Sequence, residues 1–135
     1  MTGPHILGNC FKQNKIGLPE DYFLGRDAFL DVRAPGMIEI DASVNFGWEV
    51  KFVVQSHDMS EGMFNNVVSR PIKISKGAYI GSFAILYNCE IGEGAVVAIG
   101  SVVRSQNILP WTMAEGNPAR PIKKYNHATR KWEKI

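Results

Sequence analysis

The stretch that decides the fold lies between Ile74 and Ile108, and it divides into short units: ISKGAY, IGSFAI, LYNCE, IGEGAV, VAIGSV and VRSQNI. Each unit opens with an aliphatic residue. All but LYNCE, which opens at Leu86 and is one residue short, carry a small or short residue in fifth place. The same period runs less cleanly earlier in the chain, with openers Ile40, Phe46 and Phe52 and fifth residues Val44, Val50 and Ser56.

A period of six residues fits neither an α-helix, which repeats every 3.6 residues, nor a two-sided strand, which repeats every two. It is typical of a chain that coils around a triangular prism, with three units per coil and parallel strands stacked on the coils above and below. The opening residue then points into the prism, and the fifth faces inward near a corner. A β-sandwich is disfavoured, because loops of one or two residues cannot connect parallel strands.

The period also predicts the domain organisation, which is a single domain over residues 1–135. Residues 1–23 lack the period and are expected to cap one end of the prism. Residues 24–125 form the coiled body, from which an extruded loop, residues 58–71, interrupts the repeat. Residues 126–135 are expected to form a short C-terminal helix that braces the other end.

The composition is that of one globular domain: 135 residues, 45% of them hydrophobic and 21% charged. No run approaches the roughly 18 apolar residues of a membrane span. The first ten residues lack the charged start and apolar centre of a signal peptide. The two cysteines, Cys10 and Cys89, are expected to be free thiols in a reducing compartment, so a cytoplasmic location is predicted.

The net charge of +2 hides an asymmetry along the chain. Of its residues after Ala119, six are basic and only Glu133 is acidic. Such a tail either binds a phosphorylated ligand or is a solvated surface. Nucleic acid is a poor candidate, because the basic residues form no long stripe interleaved with aromatic residues.

The repeats, the triplet Ser56-His57-Asp58 before the loop and the ending EGNPARPIK, from Glu115 to Lys123, resemble those of the hexapeptide-repeat acyltransferases. The chain looks closest to the sugar O-acetyltransferases of the galactoside, maltose and polysaccharide-modifying groups, over roughly residues 24–125. The resemblance implies an all-β, left-handed parallel β-helix. It also implies a homotrimer, with acetyl-coenzyme A as co-substrate in a cleft between neighbouring prisms and a sugar-type acceptor.

His57 is the candidate general base. Transfer of an acyl group from a thioester needs a base that takes a proton from the attacking hydroxyl, and neutral imidazole does this near neutral pH. The resemblance places His57 at the catalytic position. Asp58 either orients the imidazole ring or serves as a turn residue. For the other two histidines, His5 and His127, structural or surface roles are favoured.

The resemblance implies a set of cofactor contacts. The backbone N–H of Ser82 would meet the thioester carbonyl, where negative charge develops. The remaining positions are Ile99 at the pantetheine arm, Arg104 near the nucleotide, and Arg120 and Lys123 at the phosphates. Many relatives have threonine then lysine where this chain has Arg104 and Ser105, so the charge here has moved by one place.

Candidate acceptor contacts are Asp31, Trp48 and Phe64. Asp31 either lies near the acceptor or hydrogen-bonds its own corner. The two aromatic residues either stack on a sugar or pack against a neighbouring subunit. An amine acceptor, such as an amino sugar, needs the same base and cofactor and stays open as the alternative.

Two further readings are disfavoured. A prism-shaped carbonic anhydrase needs three histidines at the prism surface, and His5 and His127 lie outside the repeats, so no metal is predicted. A scaffold or ice-binding solenoid would show a regular outward face of threonines, which this chain lacks.

The loop and the cysteines give two last expectations. Apolar residues on a projecting loop are better explained by burial against another subunit than by exposure, which favours a trimer. These loop residues are Met59, Met63, Phe64, Val67 and Val68. Neither cysteine has a histidine beside it in sequence, so no covalent acyl-enzyme is expected.

Overall fold

A computed structural model describes residues 38–60 and 67–135 in full, together with the backbone of two short strands at 5–7 and 29–31. Most of the predicted N-terminal cap, residues 1–23, therefore lies outside the described residues. Met63 and Phe64 lie outside them as well, and so does Cys10.

The described residues are all-β. The strands, in chain order, are β1 (His5–Leu7), β2 (Phe29–Asp31), β3 (Ile38–Ile40), β4 (Asn45–Phe46), β5 (Lys51–Val53), β6 (Gln55–His57), β7 (Val67–Ser69), β8 (Ile72–Ile74), β9 (Tyr79–Ile80), β10 (Ile85–Ile91), β11 (Val96–Val97), β12 (Val102–Ile108), β13 (Thr112–Gly116), β14 (Ala119–Asn126) and β15 (Lys131–Lys134). None of the residues that can be described lies in a helix, so none of them forms a helix that could cross a membrane.

The strands stack in parallel register to form three faces. Face 1 consists of β3, β8 and the second halves of β10 and β12. Face 2 consists of β4, β9, β11 and β13. Face 3 consists of β1, β2, β5 and the first halves of β10 and β12. The chain visits faces 3, 1 and 2 in turn, which makes a three-sided prism of stacked coils.

The register shows the length of one coil. Ile85 lies opposite Val102 and Val96 lies opposite Met113, so residues 17 positions apart are neighbours in successive coils. A coil therefore holds two six-residue units and one five-residue unit. The prediction that LYNCE is a short unit agrees with this register. The unit that opens at Val103 is also short, which the sequence analysis missed. Asn107 is exposed, and the buried Ile108 opens the next unit.

The core consists of the inward residues that the repeat predicts. The openers from Ile74 onward are almost fully buried, because each lies between two coils and is shielded by both. These buried openers are Ile74, Ile80, Leu86, Ile91, Val97 and Val103, and the buried fifth residues are Val44, Val50, Ala78, Ala84, Ala95 and Ser101. Phe46 is only half-buried and packs edge-on against Phe52, with ring centroids 5.6 Å apart.

The extruded loop leaves the prism at the corner between faces 3 and 1. Its base is an antiparallel pair in which His57 of β6 lies opposite Val67 of β7. The N–H of Arg70 donates to the Val54 carbonyl at 2.7 Å and closes this base. The loop thus begins at Gln55 rather than at residue 58, and Ser56 is half-buried in the hairpin instead of facing the core.

The predicted C-terminal helix over residues 126–135 is wrong. The chain reverses after β13, β14 pairs antiparallel with β13, and β15 pairs antiparallel with β14. Rings from three places in the sequence hold this hairpin together: Tyr125 packs on Trp132 at 5.3 Å and on Trp111 at 5.5 Å. These contacts form only across strands, so local helical preference did not reveal them.

Replacing Ile91 by alanine should lower the free energy of unfolding by about 2–5 kcal/mol, because it removes a buried side chain and leaves a cavity. The matched control is Glu90→Ala, one residue earlier on the same strand and exposed. It should change stability by no more than about 0.5 kcal/mol. Urea unfolding followed by circular dichroism measures both, and equal losses would contradict this assignment of inward and outward positions.

Candidate functional site

Three of the candidate site residues lie on one corner of the prism. Trp48, Ser82 and Ile99 follow face 2 in successive coils, and we call this column the Ser82 corner. The Trp48 N–H donates to Ser82 Oγ at 2.9 Å, and the Gly100 N–H donates to the Ser82 carbonyl at 2.8 Å. The structure therefore brings together one predicted acceptor contact and two predicted cofactor contacts.

The coils approach so closely at this corner that only glycine fits. A Cβ atom on Gly81 would lie 2.7 Å from the Ile99 nitrogen and 2.8 Å from the Val97 carbonyl oxygen, both of which are backbone atoms. A Cβ atom on Gly47 would lie 2.5 Å from the Ser82 nitrogen. This packing fixes the positions of the Ser82 and Ile99 backbones.

Two backbone donors at the Ser82 corner remain available. Within residues 38–60 and 67–135, neither the Ser82 N–H nor the Ile99 N–H donates a hydrogen bond. Backbone N–H groups are seldom left unpaired unless water or a ligand accepts from them. Held in place by the packed corner, they can donate hydrogen bonds to the carbonyl oxygens of a ligand that runs along the column.

An apolar ridge surrounds these donors. We define it as Trp48, Tyr79, Phe83, Ile85 and Ile99, each of which is at least 39% exposed. They lie on the corner itself or on the outer surfaces of faces 2 and 3 beside it. A contiguous apolar patch of this kind is typical of a surface that another molecule covers.

Sequence reasoning missed Tyr79, Phe83 and Ile85. The signal was present, because an aromatic or aliphatic residue at a position other than the first or fifth of a unit must point outward. The repeat was assigned from its inward positions alone, so apolar residues at outward positions were not considered.

His57 lies at a different corner. It is exposed at the end of β6, where the chain leaves face 3 for the extruded loop. The width of face 3 separates it from the Ser82 corner in the same chain, because β5 runs from the one corner to the other. A single chain therefore does not bring the candidate base to the candidate thioester contacts.

Asp58 forms a turn next to His57. Its Oδ1 accepts the Ser60 backbone N–H at 2.9 Å. The backbone and side-chain hydrogen bonds from Ser60 lower the pKa of the Asp58 carboxyl, with a smaller contribution from the charge of Arg70. This geometry fits the interpretation of Asp58 as a turn residue. Its role in orienting the His57 imidazole stays a prediction.

Asp31 and Arg104 belong to one column on face 3. The register runs from Asp31 through Val53 and Tyr87 to Arg104, beside the corner that carries His57. Three strand spacings of about 4.8 Å separate the ends of this column. Arg104 is exposed, and Ser105 follows it with a left-handed φ of 48°.

Arg120 and Lys123 both lie on β14. Arg120 is opposite Glu115, two residues along β13 from Met113, so the register puts it on the same surface as Lys123. Lys123 is opposite Met113, whose parallel neighbours Val96 and Tyr79 point away from the core. Lys123 therefore faces outward from face 2.

Among the described residues, Cys89 is unsuited to act as a nucleophile and no metal-binding group is found. Cys89 is 3% exposed, and burial raises the pKa of its thiol to about 12, so the nucleophilic thiolate is not formed near neutral pH. Within the described ranges, no group of three or more histidine, cysteine, aspartate or glutamate residues could hold a metal ion. His127 packs against the rings of Trp111 and Tyr125 at 4.6 and 5.0 Å.

Comparison with known sequences finds related proteins over most of the chain. No family model matches. A putative acetyltransferase of Schizosaccharomyces pombe is 35% identical over 99 residues, which is 71% of this chain and 46% of that protein. A putative lipopolysaccharide biosynthesis O-acetyl transferase of Escherichia coli, WbbJ, is 42% identical over 67 residues, 49% of this chain and 34% of that protein. The chain spans less than half the length of these two curated relatives.

Comparison with solved structures gives the same picture. A maltose O-acetyltransferase from Clostridium difficile superposes with a TM-score of 0.72 at 26% identity, over 93% of this chain and 65% of that one. An N-acyltransferase from Bacillus cereus, AntD, in complex with dTDP-4-amino-4,6-dideoxyglucose and coenzyme A, gives a TM-score of 0.68 at 23% identity, over 78% of this chain and 61% of that one.

A hexapeptide-repeat acetyltransferase from Vibrio cholerae with acetyl coenzyme A gives a TM-score of 0.53 at 23% identity, over 74% of this chain and 58% of that one. At such identity this likeness and that to AntD bear on the fold alone. The chain is thus a homologue of proteins described as acetyltransferases, and its fold is that of the hexapeptide-repeat acetyltransferases.

Proposed function

We propose that this chain is an acetyl-coenzyme-A-dependent O-acetyltransferase that acts on a hydroxyl group of a sugar or sugar-containing acceptor. The observation that carries the proposal is the Ser82 corner, where two backbone N–H groups that pair with no described residue lie beside an apolar ridge. The likeness to a maltose O-acetyltransferase and to WbbJ supports the reaction and the acceptor class. We also propose that the prism coils in the left-handed sense. The likeness of its fold to that of the hexapeptide-repeat acetyltransferases supports this. The cytoplasmic location stays a prediction.

The Ser82 corner suits the donor. The thioester carbonyl gains negative charge as the acceptor oxygen attacks, and a fixed backbone N–H stabilises that charge without having to reorganise. We assign this role to the Ser82 N–H, and contact with the pantetheine amides to the Ile99 N–H. The apolar ridge covers the arm and excludes water. Arg104, Arg120 and Lys123 stay predictions for the nucleotide end.

The site needs a second copy of the chain. His57 and the Ser82 corner lie on different edges of one prism, so a neighbour must present its His57 edge to this Ser82 corner. A cyclic trimer satisfies this for all copies at once, because each contributes one edge of each kind. The exposed Met59 and Val67 on the extruded hairpin, and the apolar ridge, are the surfaces that such contacts would bury.

The reaction proceeds in one step at His57. The neutral imidazole takes the proton of the acceptor hydroxyl while that oxygen bonds to the thioester carbon and the carbon–sulfur bond breaks. The imidazolium then returns the proton to the leaving thiolate, which gives free coenzyme A and the acetylated acceptor. Cys89 takes no part, since its buried thiol stays protonated.

We retain Trp48, Asp31 and Asp58 as the proposed contacts to the acceptor. Trp48 is 58% exposed at the Ser82 corner and offers a flat apolar surface to a sugar ring. Asp58 is next to the base in sequence, and Asp31 is three coils from Arg104 in the same column. An amine acceptor would need the same base and donor contacts, so acylation of an amino sugar stays open as the alternative.

Acceptor-dependent release of the coenzyme thiol tests the activity. We expect acetyl-coenzyme A to release thiol with at least one member of a panel of free sugars, nucleotide sugars and amino sugars. The mass of the product then distinguishes an acetyl ester, which hydroxylamine cleaves, from an amide, which it does not. If no acceptor raises thiol release and the chain does not bind coenzyme A, the proposed function is wrong.

His57→Ala should lower turnover by roughly 100-fold to 10,000-fold, the usual contribution of a general base. Coenzyme A binding should persist, because the proposed role of His57 is to take the acceptor proton and the coenzyme contacts are assigned to the Ser82 corner. The control is His127→Ala, which removes an imidazole from the C-terminal hairpin and should retain turnover. Full activity of His57→Ala would refute this mechanism.

Light scattering at micromolar concentration should give a mass three times that of the 15.0 kDa chain. Val67→Asp places a charge on the exposed apolar base of the hairpin, so it should shift the trimer towards monomer. Lys73→Ser, on the outer surface of face 1, is the matched control and should remain trimeric. A monomer in the unaltered protein would remove the shared site.

A further inference from the structure

The extruded hairpin of β6 and β7 has two surfaces, and His57 lies on one of them. The three cross-strand pairs of the hairpin are Gln55 with Ser69, Ser56 with Val68, and His57 with Val67. Side chains alternate along a strand, so residues two apart share a surface, and so do residues directly opposite each other. Gln55 and Ser69 therefore lie on the same surface as His57. We call it the His57 surface.

The side chains of Gln55 and Ser69 lie close together across the two strands. The Arg70 N–H donates to the Val54 carbonyl, which makes Val54 and Arg70 a hydrogen-bonded pair. Hydrogen-bonded and non-hydrogen-bonded pairs alternate along an antiparallel ladder, so the next pair, Gln55 with Ser69, is non-hydrogen-bonded. The side chains of such a pair are the closer ones. The Gln55 amide and the Ser69 hydroxyl can therefore contact one and the same group.

Both of these polar groups are half-buried and available to a ligand. Within residues 38–60 and 67–135, neither the Gln55 amide nor the Ser69 hydroxyl forms a hydrogen bond. Polar groups that are shielded from solvent normally have a partner in water or in a ligand. An amide and a hydroxyl each donate and accept, so together they suit a partner that does both, as a hydroxyl group does.

The His57 surface is neutral apart from the imidazole. Among its described members, which besides His57 are Gln55, Val67 and Ser69, none is an acid, a lysine or an arginine. The charged residues beside it, Asp58 and Arg70, have opposite signs, and the charge of Arg70 helps to lower the pKa of Asp58. The exposed Val67 adds an apolar contact for carbon atoms. The surface therefore suits an uncharged ring that carries hydroxyl groups.

The spacing along β6 fits such a ring. Gln55 and His57 are two residues apart on an extended strand, which separates their Cα atoms by about 7 Å. This separation is comparable to the width of one sugar ring. An acceptor that places one hydroxyl at the His57 imidazole therefore places another polar group within reach of Gln55 and Ser69.

We infer that Gln55 and Ser69 bind a second hydroxyl group of the acceptor and so position the reacting hydroxyl at His57. The inference rests on the proposed function, because it concerns the acceptor of the same reaction. Contact at two points fixes the orientation of the ring, and a fixed orientation presents one hydroxyl among several to the base. A simple alcohol without a second polar group is expected to be a poor acceptor.

Thiol release from acetyl-coenzyme A, with the sugar that gives the highest rate in the acceptor panel, tests this assignment. Gln55→Leu keeps the approximate size of the side chain and removes its amide. It should lower kcat/KM for that sugar about tenfold, the size expected for one lost hydrogen bond to an uncharged group. Ser69→Ala should act in the same direction. Coenzyme A affinity, measured by calorimetry, should be unchanged in both variants.

Ser56→Ala is the matched control. Ser56 is also a half-buried serine of the hairpin, but it lies on the opposite surface. This variant should retain the kcat/KM of the unaltered chain. A loss equal to that of Ser69→Ala would show that truncation anywhere in the hairpin is harmful, and it would overturn the inference.

Monodeoxy analogues of the same sugar show whether the contact is direct. Besides the analogue that lacks the reacting hydroxyl, one analogue should lower kcat/KM of the unaltered chain about tenfold. Gln55→Leu should lose no further activity with that analogue, because the missing hydroxyl is the partner of the missing amide. Full activity of Gln55→Leu on the parent sugar, or equal losses of both proteins with every analogue, would contradict the inference.

Two further observations separate the possible failures. Unfolding midpoints show whether the variants are folded. If no acceptor of the panel releases thiol in the unaltered chain, the proposed function itself fails. If thiol is released but Gln55→Leu has no effect, the proposed function stands and only the assignment of Gln55 and Ser69 fails.

Discussion

The structure depends on the space between successive coils. Adjacent coils are one strand spacing apart, so inward positions are filled mostly by aliphatic side chains and some corner positions admit no side chain. Gly81 shows the limit, because a single added carbon would meet two backbone atoms of the coil beside it. From Tyr79 to Met113 the coils keep a register of 17 residues, and this register places Gly81 against the backbone of Val97 to Ile99.

The same register builds the candidate site. When each coil repeats the path of the one before, outward residues far apart in sequence form straight columns on the surface. The Ser82 corner, the apolar ridge and the column from Asp31 to Arg104 all arise in this way. The irregular parts supply what a regular column cannot. The extruded hairpin carries His57, and the reversed strand β14 carries Arg120, Lys123 and Lys124.

Inward positions could be predicted from the sequence, because a side chain that lies between two coils must be apolar or small. Residues of these types therefore recur along the chain at a fixed period. The unit that opens at Val103 was predicted to have six residues and has five. Asn107 is short enough to resemble an inward fifth residue, although it is exposed. The C-terminal helix was wrong because Tyr125, Trp132 and Trp111 stabilise strands only through contacts between distant parts of the chain. The surface on which Lys123 lies depends on a β-bulge at Ile122, where the pairing of β13 with β14 shifts by one residue, and a bulge leaves no composition signal beyond the proline beside it.

The antiparallel hairpin also bears on how whole molecules associate. A prism of parallel coils presents an open strand edge at its end, and such an edge can template another molecule of the same kind. On face 2, β14 reverses the direction of the chain, so a further parallel coil has no matching edge there. The new outer edge is β15, which carries Lys131 and Lys134, and charged lysines repel an incoming strand. Among the described strands, the hairpin of β14 and β15 is thus expected to disfavour end-to-end growth of the prisms into fibres on this face.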